Sequence, residues 1–439
     1  MRDIALFFGF FAMLAMGQAF RYPHVGVLLW CWTALVIPNF FSYGFAAVIP
    51  YNKIVAIITL LAWLISREPK KLPPNATLFL LAFFGIWGTI SALTGISSTD
   101  DAMREWGNFI KVIVFAFVVA GLMTSKERII ALLYAAVLSL GFHGVVSGAK
   151  FLASGGASHI YGPGLSIIGD NNHFALAMIA LIPIVFYLHN RSSHKLVKLA
   201  LLGSMLLMLA TIMGTFSRGG LLGIVAVGGL AFMRHPKKMR NTLILIPLVI
   251  GALAFAPDSW SDRMDTISEA SQDNSFMGRV IAWKQSTLLA LDHPVFGGGF
   301  HAIQDFAIWM NYAQEFHKLS FIPTDEPNPV RAFAAHSIYF QTLGDLGFVG
   351  LGIFLAILIS SWRNASATIR AARDQPEWHW ARDLAKALQY TLFAYVVSGA
   401  ALNMAYFDFM YMIFAVLVAL RHLVCGQTQK INSNAMALA

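Results

Sequence analysis

The sequence predicts an all-α, polytopic membrane protein with about twelve transmembrane helices. The 439-residue chain is 57% hydrophobic, and only 12% of its residues are charged. Soluble domains carry roughly a quarter charged residues. Apolar stretches of about 20 residues, the length that spans a bilayer as a helix, recur along most of the chain. These observations exclude a soluble enzyme fold.

Thirteen apolar segments are candidates for membrane-spanning helices, ten before a long polar loop and three after it. They cover residues 4–20, 24–41, 45–66, 76–96, 108–125, 128–149, 173–190, 197–213, 219–233, 241–256, 337–361, 384–402 and 406–421. Twelve crossings are expected because an irregular, protein-buried piece is predicted near Pro38-Asn39, before residue 66. No cleavage site follows the N-terminal apolar run, so this run is expected to stay in the mature protein.

Basic residues fix the expected orientation of these helices. Six clusters, which begin at Arg67, Lys126, Arg191, Arg234, Arg363 and Arg421, hold 19 of the 31 lysines and arginines. All six lie at the same membrane face if the segments alternate in direction. By the positive-inside rule this face is the cytoplasmic one. The two cysteines, Cys31 and Cys425, are far apart and predict neither a disulfide framework nor a thiolate metal site.

The 79-residue segment 257–335 falls on the opposite, outer face and is too long for a simple connection. It carries ten acidic and five basic residues, although the whole chain has a net charge of +9. Amphipathic helices are predicted at 279–291 and 300–317, lying at the lipid interface, with a flexible Gly297-Gly298-Gly299 turn between them. The chain thus divides into N-terminal helices (1–256), the loop (257–335), and C-terminal helices with a cytoplasmic tail (336–439).

Arg218, in Ser217-Arg218-Gly219-Gly220, is a candidate anion-binding residue. It falls where the outer face meets the span 219–233, and ionisable groups at this depth are costly unless they have a function. The glycines beside it are expected to leave room for a bulky anion near a helix N-terminus. The alternative is a snorkelling arginine next to a glycine-rich packing contact.

Arg279 and His336 are two further candidates on the outer face. Arg279 is predicted at the start of the first loop helix, where the helix dipole disfavours a positive charge. His336 is predicted where the outer loop re-enters the membrane. Two fixed cations suit a diphosphate, and a group that titrates near neutrality suits proton transfer. A solvated surface arginine and a helix-start histidine are the simpler alternatives.

Asn172 and His173 are weaker candidates, for contacts with sugar hydroxyls, because a loop of turn residues explains their positions equally well. The sequence contains no HExxH motif, no carboxylate cluster with metal spacing and no Walker-type loop, so neither a metal nor a cofactor is predicted. Nucleic-acid binding is not expected, because the basic residues follow the pattern of a membrane protein.

Four motifs, taken in order, resemble the bacterial O-antigen ligase and O-antigen polymerase superfamily over roughly residues 170–420. The N-terminal stretch from Met1 to Trp30 is also similar to exosortase-associated O-glycosylation ligases. The four motifs are Ser217-Arg218-Gly219-Gly220-Leu221-Leu222, Arg279 with Trp283, Pro294-Val295-Phe296-Gly297-Gly298-Gly299-Phe300, and His336-Ser337 with Leu343.

The resemblance implies a GT-C-like helical bundle in the bacterial inner membrane with its active site facing the periplasm. Such ligases transfer a glycan from undecaprenyl diphosphate to a sugar of the lipid A core, giving lipopolysaccharide, without metal or ATP. The positions that match the motifs are Arg218 and His336, with Arg279 less firmly placed. We expect His336 to act as general base and both arginines to bind the diphosphate, with inversion at the anomeric carbon.

Three alternatives stay open at this point. An O-antigen polymerase would use the same donor but a second lipid-diphosphate glycan as acceptor, although the outer face is acidic on balance. A protein O-glycan ligase of the same superfamily would use a protein acceptor. A lipid or glycan transporter belongs to another class, and the sequence shows no paired repeats with broken helices typical of transporters.

Overall fold

The structure, a computed structural model, describes residues 17–97, 100–164, 166–234 and 274–438. Within these ranges every regular element is helical and none is a strand, which confirms the all-α class. The predicted span 241–256 lies outside the described residues, as does all but the end of 4–20.

Thirteen α-helices make up the described part of the chain. Apolar runs define their lengths, and side-chain caps begin several of them, since Asn75, Ser125 and Asp170 accept hydrogen bonds from backbone N–H groups of the first turn. The helices are α1 (Pro23–Val36), α2 (Tyr51–Ile65), α3 (Ala76–Thr94), α4 (Asp100–Leu122), α5 (Lys126–Ala153), α6 (Asn171–Arg191), α7 (Lys195–Gly214), α8 (Arg218–Arg234), α9 (Asn274–Asp292), α10 (Phe306–Ala313), α11 (Ile338–Ala371), α12 (His379–Gly399) and α13 (Asp408–Leu438).

Two helices are longer than the apolar runs that predict them. Helix α4 begins at Asp100 rather than residue 108, and α11 ends at Ala371 rather than residue 361. In both, polar residues continue the helix beyond the part that would lie in lipid. Apolar length therefore locates a span but underestimates the helix that contains it.

Seven of the described helices are long and apolar enough to cross a membrane, namely α3, α4, α5, α6, α7, α11 and α13. Helices α1 and α2 are apolar but shorter, with 14 and 15 residues. The chain is thus a multi-pass membrane protein, and the total of twelve crossings stays a prediction. Helices α6 and α13 form the centre of the bundle, because 72% of the most apolar stretch of each is buried.

Helices α1 and α2 pack as an antiparallel pair. The Asn52 side chain donates to the Trp30 carbonyl, while Gly26 lies against Thr59. The piece that joins the two helices consists of two 3-10 turns, Pro38–Phe41 and Gly44–Val48, and none of their residues is buried. The expectation of a protein-buried piece here is therefore wrong.

The Asn39 side chain explains why this connection can be exposed. Its amide donates to the carbonyls of Ala47 and Ile49, at 2.7 and 2.8 Å, so the connection pairs its own polar groups. Burial inside the protein is not needed to satisfy them.

The predicted basic clusters meet at one end of the bundle. Arg128 at the start of α5 pairs with Glu68 at 2.6 Å, and Arg191 at the end of α6 pairs with Asp383 at 2.7 Å. Arg421 donates to Asn364 at 2.8 Å. The opposite end of α6 carries His173, about 27 Å away at the helical rise per residue. The outer-face candidates and the basic clusters are therefore separated as predicted.

The outer loop builds a small core of its own. Ile281 and Leu288 of α9 cluster with Trp309 and Tyr312 of α10, and Trp309 is fully buried. The prediction of a stripe through Val280, Trp283, Thr287 and Leu291 is therefore wrong for α9, and Leu291 is 55% exposed. Ile303 and Trp309 of the second predicted stripe do belong to this core. Whether the loop helices also lie at a lipid interface stays a prediction.

The prediction of one helix over 300–317 is wrong. This segment contains a 3-10 turn at Ala302–Gln304, the eight-residue α10 and a second 3-10 turn at Phe316–Leu319. Asp305 interrupts the run because its side chain accepts from Ala307 N and begins a new helix there.

The glycine-rich segment Pro294–Phe300 is packed into a kink of α11, so the expectation of a flexible turn is also wrong. Gly347 has a φ of 71° inside α11 and breaks the helix. A Cβ atom on Gly297 would lie 2.5 Å from the Gly347 nitrogen, so only glycine permits this approach. Three backbone hydrogen bonds join the segments: Gly298 N to Gly344 O, Gly299 N to Asp345 O, and Phe348 N to Pro294 O.

Candidate functional site

His336 lies in a strained turn immediately before α11. Its backbone φ is 45°, a value that a residue with a bulky side chain rarely adopts. The next residue, Ser337, caps the helix by accepting from Tyr339 N. Trp283 of α9 secures the turn from the other side, because its indole donates to the Ala335 carbonyl at 2.7 Å and its ring stacks on Phe340. Strain held in place by such contacts is typical of functional sites.

Arg279 lies on α9 one turn before Trp283. Residues four apart share a face of a helix, so Arg279 and Trp283 both face the region of His336. Helix α9 begins at Asn274, five residues earlier than predicted, which puts Arg279 in the second turn. The argument that the helix dipole disfavours a charge at this position is therefore wrong, since that effect fades beyond the first turn.

His336 is neutral at physiological pH. Burial lowers the pKa of its imidazole to about 4, and the nearby positive charge of Arg279 adds to the effect. His173 and Arg331 lower this pKa further, whereas Asp170 opposes the shift. These electrostatic interactions indicate that Arg279 and His173 lie near His336. That the three residues form one functional site stays a prediction.

His173 presents a fixed tautomer to this site. Its Nδ1 lies 2.8 Å from the Ile167 carbonyl, which can only accept, so Nδ1 carries the proton and Nε2 carries a lone pair. This Nε2 is buried and has no hydrogen-bond partner among the described residues. Since His173 also interacts electrostatically with Arg279, its free acceptor belongs to the same site.

Asp170 is a residue that the sequence reasoning missed. It caps α6, and its carboxylate accepts from the backbone N–H groups of Asn172 and His173. Burial raises the pKa of Asp170, but the electrostatic interaction with His173 and these hydrogen bonds outweigh burial and hold the pKa below its usual value. An Asp directly before an apolar helix is a recognised capping signal and would have identified it.

Arg218 joins the site through its neighbour Ser217. The Ser217 hydroxyl donates to Asn172 Oδ1 at 2.7 Å and accepts from Gly220 N at 2.9 Å. Arg218 is the first residue of α8 and is partly exposed beside the first turn of α6. The candidates Arg218 and Asn172 therefore lie next to His173.

The backbone before Arg218 is strained in the same way as at His336. Phe216 has a φ of 50°. The Thr215 carbonyl beside it accepts from the Asn171 amide at 2.8 Å and lies 3.1 Å from His159 Nε2. Strained turns thus precede both Arg218 and the helix that follows His336.

The two glycines after Arg218 differ in role. A Cβ atom on Gly220 would lie 2.9 Å from Ala175 Cβ, so this glycine allows α8 to pack against α6. Only Gly219 has open space beside it, where the nearest atom is Ser217 Oγ at 3.9 Å. The expectation that both glycines leave room for an anion is therefore correct for Gly219 and wrong for Gly220.

Together these groups offer two guanidinium cations, a neutral histidine and a fixed acceptor nitrogen. The guanidinium groups suit phosphate oxygens, and the two imidazoles suit hydroxyl groups. Among the residues that the structure describes, no group of three or more His, Cys, Asp or Glu side chains is arranged to hold a metal ion.

Comparisons with known proteins agree with the motifs. A family described as O-antigen ligase matches residues 203–355, which include Arg218, Arg279 and His336. A family of unknown function, DUF5935, matches residues 1–193, so the similarity of the N-terminus to exosortase-associated ligases stays a prediction. No curated protein matches the chain. The match covers residues 203–355 of an all-helical membrane protein and supports the resemblance to the O-antigen ligase and O-antigen polymerase superfamily.

Proposed function

We propose that the protein is an O-antigen ligase that transfers a glycan from undecaprenyl diphosphate to a sugar hydroxyl of the lipid A core. The reaction takes place at the periplasmic face of the bacterial inner membrane and yields lipopolysaccharide. The observation that carries this proposal is that Arg279 lies close enough to His336 to lower its pKa, in a half-buried region near His173 and next to Asn172 and the Ser217-Arg218 turn.

In the proposed reaction, His336 removes the proton of the acceptor hydroxyl as its oxygen attacks the anomeric carbon. The bond between this carbon and the diphosphate oxygen breaks, and the electron pair leaves with undecaprenyl diphosphate. Arg218 and Arg279 bind the diphosphate and stabilise the charge that develops on it. One direct displacement inverts the anomeric centre and requires no carboxylate nucleophile.

Donor binding also strengthens the proposed base. The charge of Arg279 helps to keep the pKa of His336 near 4 in the empty site. A bound diphosphate neutralises part of that positive charge and therefore raises the pKa of His336 toward its ordinary value. The histidine thus becomes a better base when the donor is in place.

Asn172 and His173 are proposed to contact the glycan. His173 Nε2 is a buried acceptor without a partner among the described residues, and a sugar hydroxyl is a donor of matching size. Asn172 is held beside His173, because its Nδ2 donates to Asp170 and Asn171 and its Oδ1 accepts from Ser217. The second lone pair of this Oδ1 can accept from a sugar hydroxyl.

The test is reconstitution of the purified protein with undecaprenyl-diphosphate glycan and lipid A core in proteoliposomes, with and without EDTA. We expect lipopolysaccharide to form in both samples with inverted anomeric configuration. Joining of two donor glycans without lipid A core would assign a polymerase. Movement of donor across the bilayer without any transfer would assign a transporter. Loss of transfer in EDTA that added divalent ions restore would contradict the metal-independent mechanism.

A further inference from the structure

A cavity lies at the basic end of the bundle, at the opposite end of α6 from the candidate site. Its volume is about 230 Å³, and it is enclosed by the first turns of α5, the last turn of α6 and the start of α12. The residues that define its chemistry are Lys126, Ile130, Tyr134, Arg191, Ser192 and Trp380. No step of the proposed glycan transfer uses this cavity.

The charged groups around the cavity favour an anion. The Lys126 ammonium lies 5.7 Å from the centre of the Trp380 ring, and no ion pair within the described ranges includes it. Arg191 pairs with Asp383, and the same carboxylate also accepts from Arg382. One carboxylate therefore faces two guanidinium groups. The ammonium of Lys126 adds a third positive charge and interacts with the exposed carboxylate of Glu127, so positive charge exceeds negative charge by one.

The helix dipoles around the cavity also favour an anion on balance. The N-termini of α5 and α12 present positive ends of helix dipoles, whereas only the C-terminus of α6 presents a negative one. These dipoles supplement the charges of Lys126 and Arg191.

An apolar track leads out of the cavity along α5. Lys126, Ile130 and Tyr134 follow one another at intervals of four residues and so share one face of the helix. The same spacing continues to Leu138 and Phe142, which are 67% and 37% exposed, so the row winds gradually around the helix as it leaves the cavity. Apolar side chains of this kind contribute nothing to the binding of a free inorganic anion, whereas they can bind an acyl chain. Trp380 lies at the charged end of the track, as tryptophans do at membrane interfaces.

We propose that this cavity binds the headgroup of an anionic phospholipid. The phosphate lies between Lys126 and Arg191, and an acyl chain follows the exposed stripe of α5 past Leu138 and Phe142. Such pockets of basic residues between membrane helices suit anionic headgroups. This lipid site is independent of glycan transfer and does not depend on the proposed reaction.

The test uses the full-length, delipidated protein in detergent, titrated with phosphatidylglycerol, phosphatidylcholine or inorganic phosphate. Bound lipid is counted by native mass spectrometry, and thermal stability is measured in parallel. The variants are Lys126→Gln, Leu138→Ala, and Lys195→Gln as a matched control. Lys195 is exposed at the same end of the bundle but does not line the cavity.

We expect phosphatidylglycerol to bind and to raise the melting temperature more than the other two ligands. Lys126→Gln should weaken its binding about fivefold, and Lys195→Gln should leave it within error of wild type. Leu138→Ala should weaken the binding of phosphatidylglycerol but not any binding of inorganic phosphate. Equal stabilisation by inorganic phosphate would identify a free-anion site and overturn the proposal. Equal binding of phosphatidylcholine, or equal losses in Lys126→Gln and Lys195→Gln, would overturn it as well.

Discussion

The indole Nε1 of Trp283 donates a 2.7 Å hydrogen bond to the carbonyl of Ala335, the residue before His336. This bond connects α9, which carries Arg279, to the strained turn that carries His336. Because Arg279 is held by α9 and His336 by this turn, the contact sets the distance between the proposed diphosphate ligand and the proposed base. Its removal is therefore a direct test of the site geometry.

Trp283→Phe should lower kcat while donor binding is retained. Phenylalanine preserves the stacking on Phe340 but removes the N–H donor. We expect a loss of roughly 10- to 100-fold in kcat, because small displacements of reacting groups have effects of that size. The loss of unfolding free energy should be only about 1 kcal/mol. Trp63→Phe is the control, since it removes an indole bond to the Pro69 carbonyl at the basic end. Equal effects of the two variants on kcat would contradict the positioning role.

His336→Ala should abolish glycan transfer but leave donor binding intact. A general base acts on the acceptor hydroxyl and typically contributes about 10²- to 10⁴-fold in rate. Donor binding, melting temperature and transfer rate are measured on one preparation, with His317→Ala as a control in the exposed part of the same loop. Near-normal transfer by well-folded His336→Ala protein would refute the general-base role. Lost donor binding would instead place His336 at the diphosphate.

Arg218→Lys should fold but lose most of its activity. An ammonium group cannot reproduce the planar, two-pronged contact of a guanidinium with phosphate oxygens. Donor affinity and transfer rate are compared with those of Arg104→Lys, an exposed arginine at the start of α4. Full activity of the Arg218→Lys variant would count against a bidentate diphosphate site.

The pH dependence of transfer should report the charges around His336. The base is active when neutral, so kcat/KM should stay level from pH 7 down to about 5 and fall as the pH passes through the pKa of about 4. In the donor complex the diphosphate raises this pKa, so kcat should fall at a higher pH than kcat/KM. Arg279→Gln removes a positive charge near His336 and so raises the pKa of His336. The fall in kcat/KM should therefore move to a higher pH in this variant as well. A kcat/KM profile that already falls near pH 6.5 would show that the site does not perturb His336.

His173→Phe should weaken glycan recognition without changing diphosphate binding. The substitution removes the Nε2 acceptor, and we expect about a tenfold loss in affinity for undecaprenyl diphosphate carrying N-acetylglucosamine, or a similar rise in the acceptor KM. Bare undecaprenyl diphosphate should bind as it does to the wild type, and His173→Gln should restore part of the loss. An equal loss for the bare lipid would assign His173 to the diphosphate, and no loss for any ligand would remove it from the site.

The sequence predicts helices well where an apolar run coincides with a capping residue, as at Asn75 and Ser125. It also offers Arg218, Arg279 and His336 as candidates, because each falls at a junction between the outer face and a helix, and their roles stay predictions. Hydrogen bonds between distant segments are not predictable in this way. The hydrogen-bond partners of Gly298 and Gly299 lie 46 residues further along the chain. The local sequence of three glycines therefore predicts only a loose turn. The tautomer of His173 likewise depends on a loop carbonyl, that of Ile167.

The packing of Pro294–Phe300 into α11 has a consequence for how a glycan reaches the site. The loop is joined backbone to backbone with a transmembrane helix, so it cannot lift away from the bundle as a hinged cover. Within the described part of the loop, apolar side chains are most exposed in the segment 320–331, where Phe321 and Val330 are 76% and 82% exposed, and we expect an opening there. With the segment 294–300 fixed against α11, we expect substrates to enter from the side of the bundle. Such a route suits lipid-linked substrates, which arrive by diffusion within the plane of the membrane.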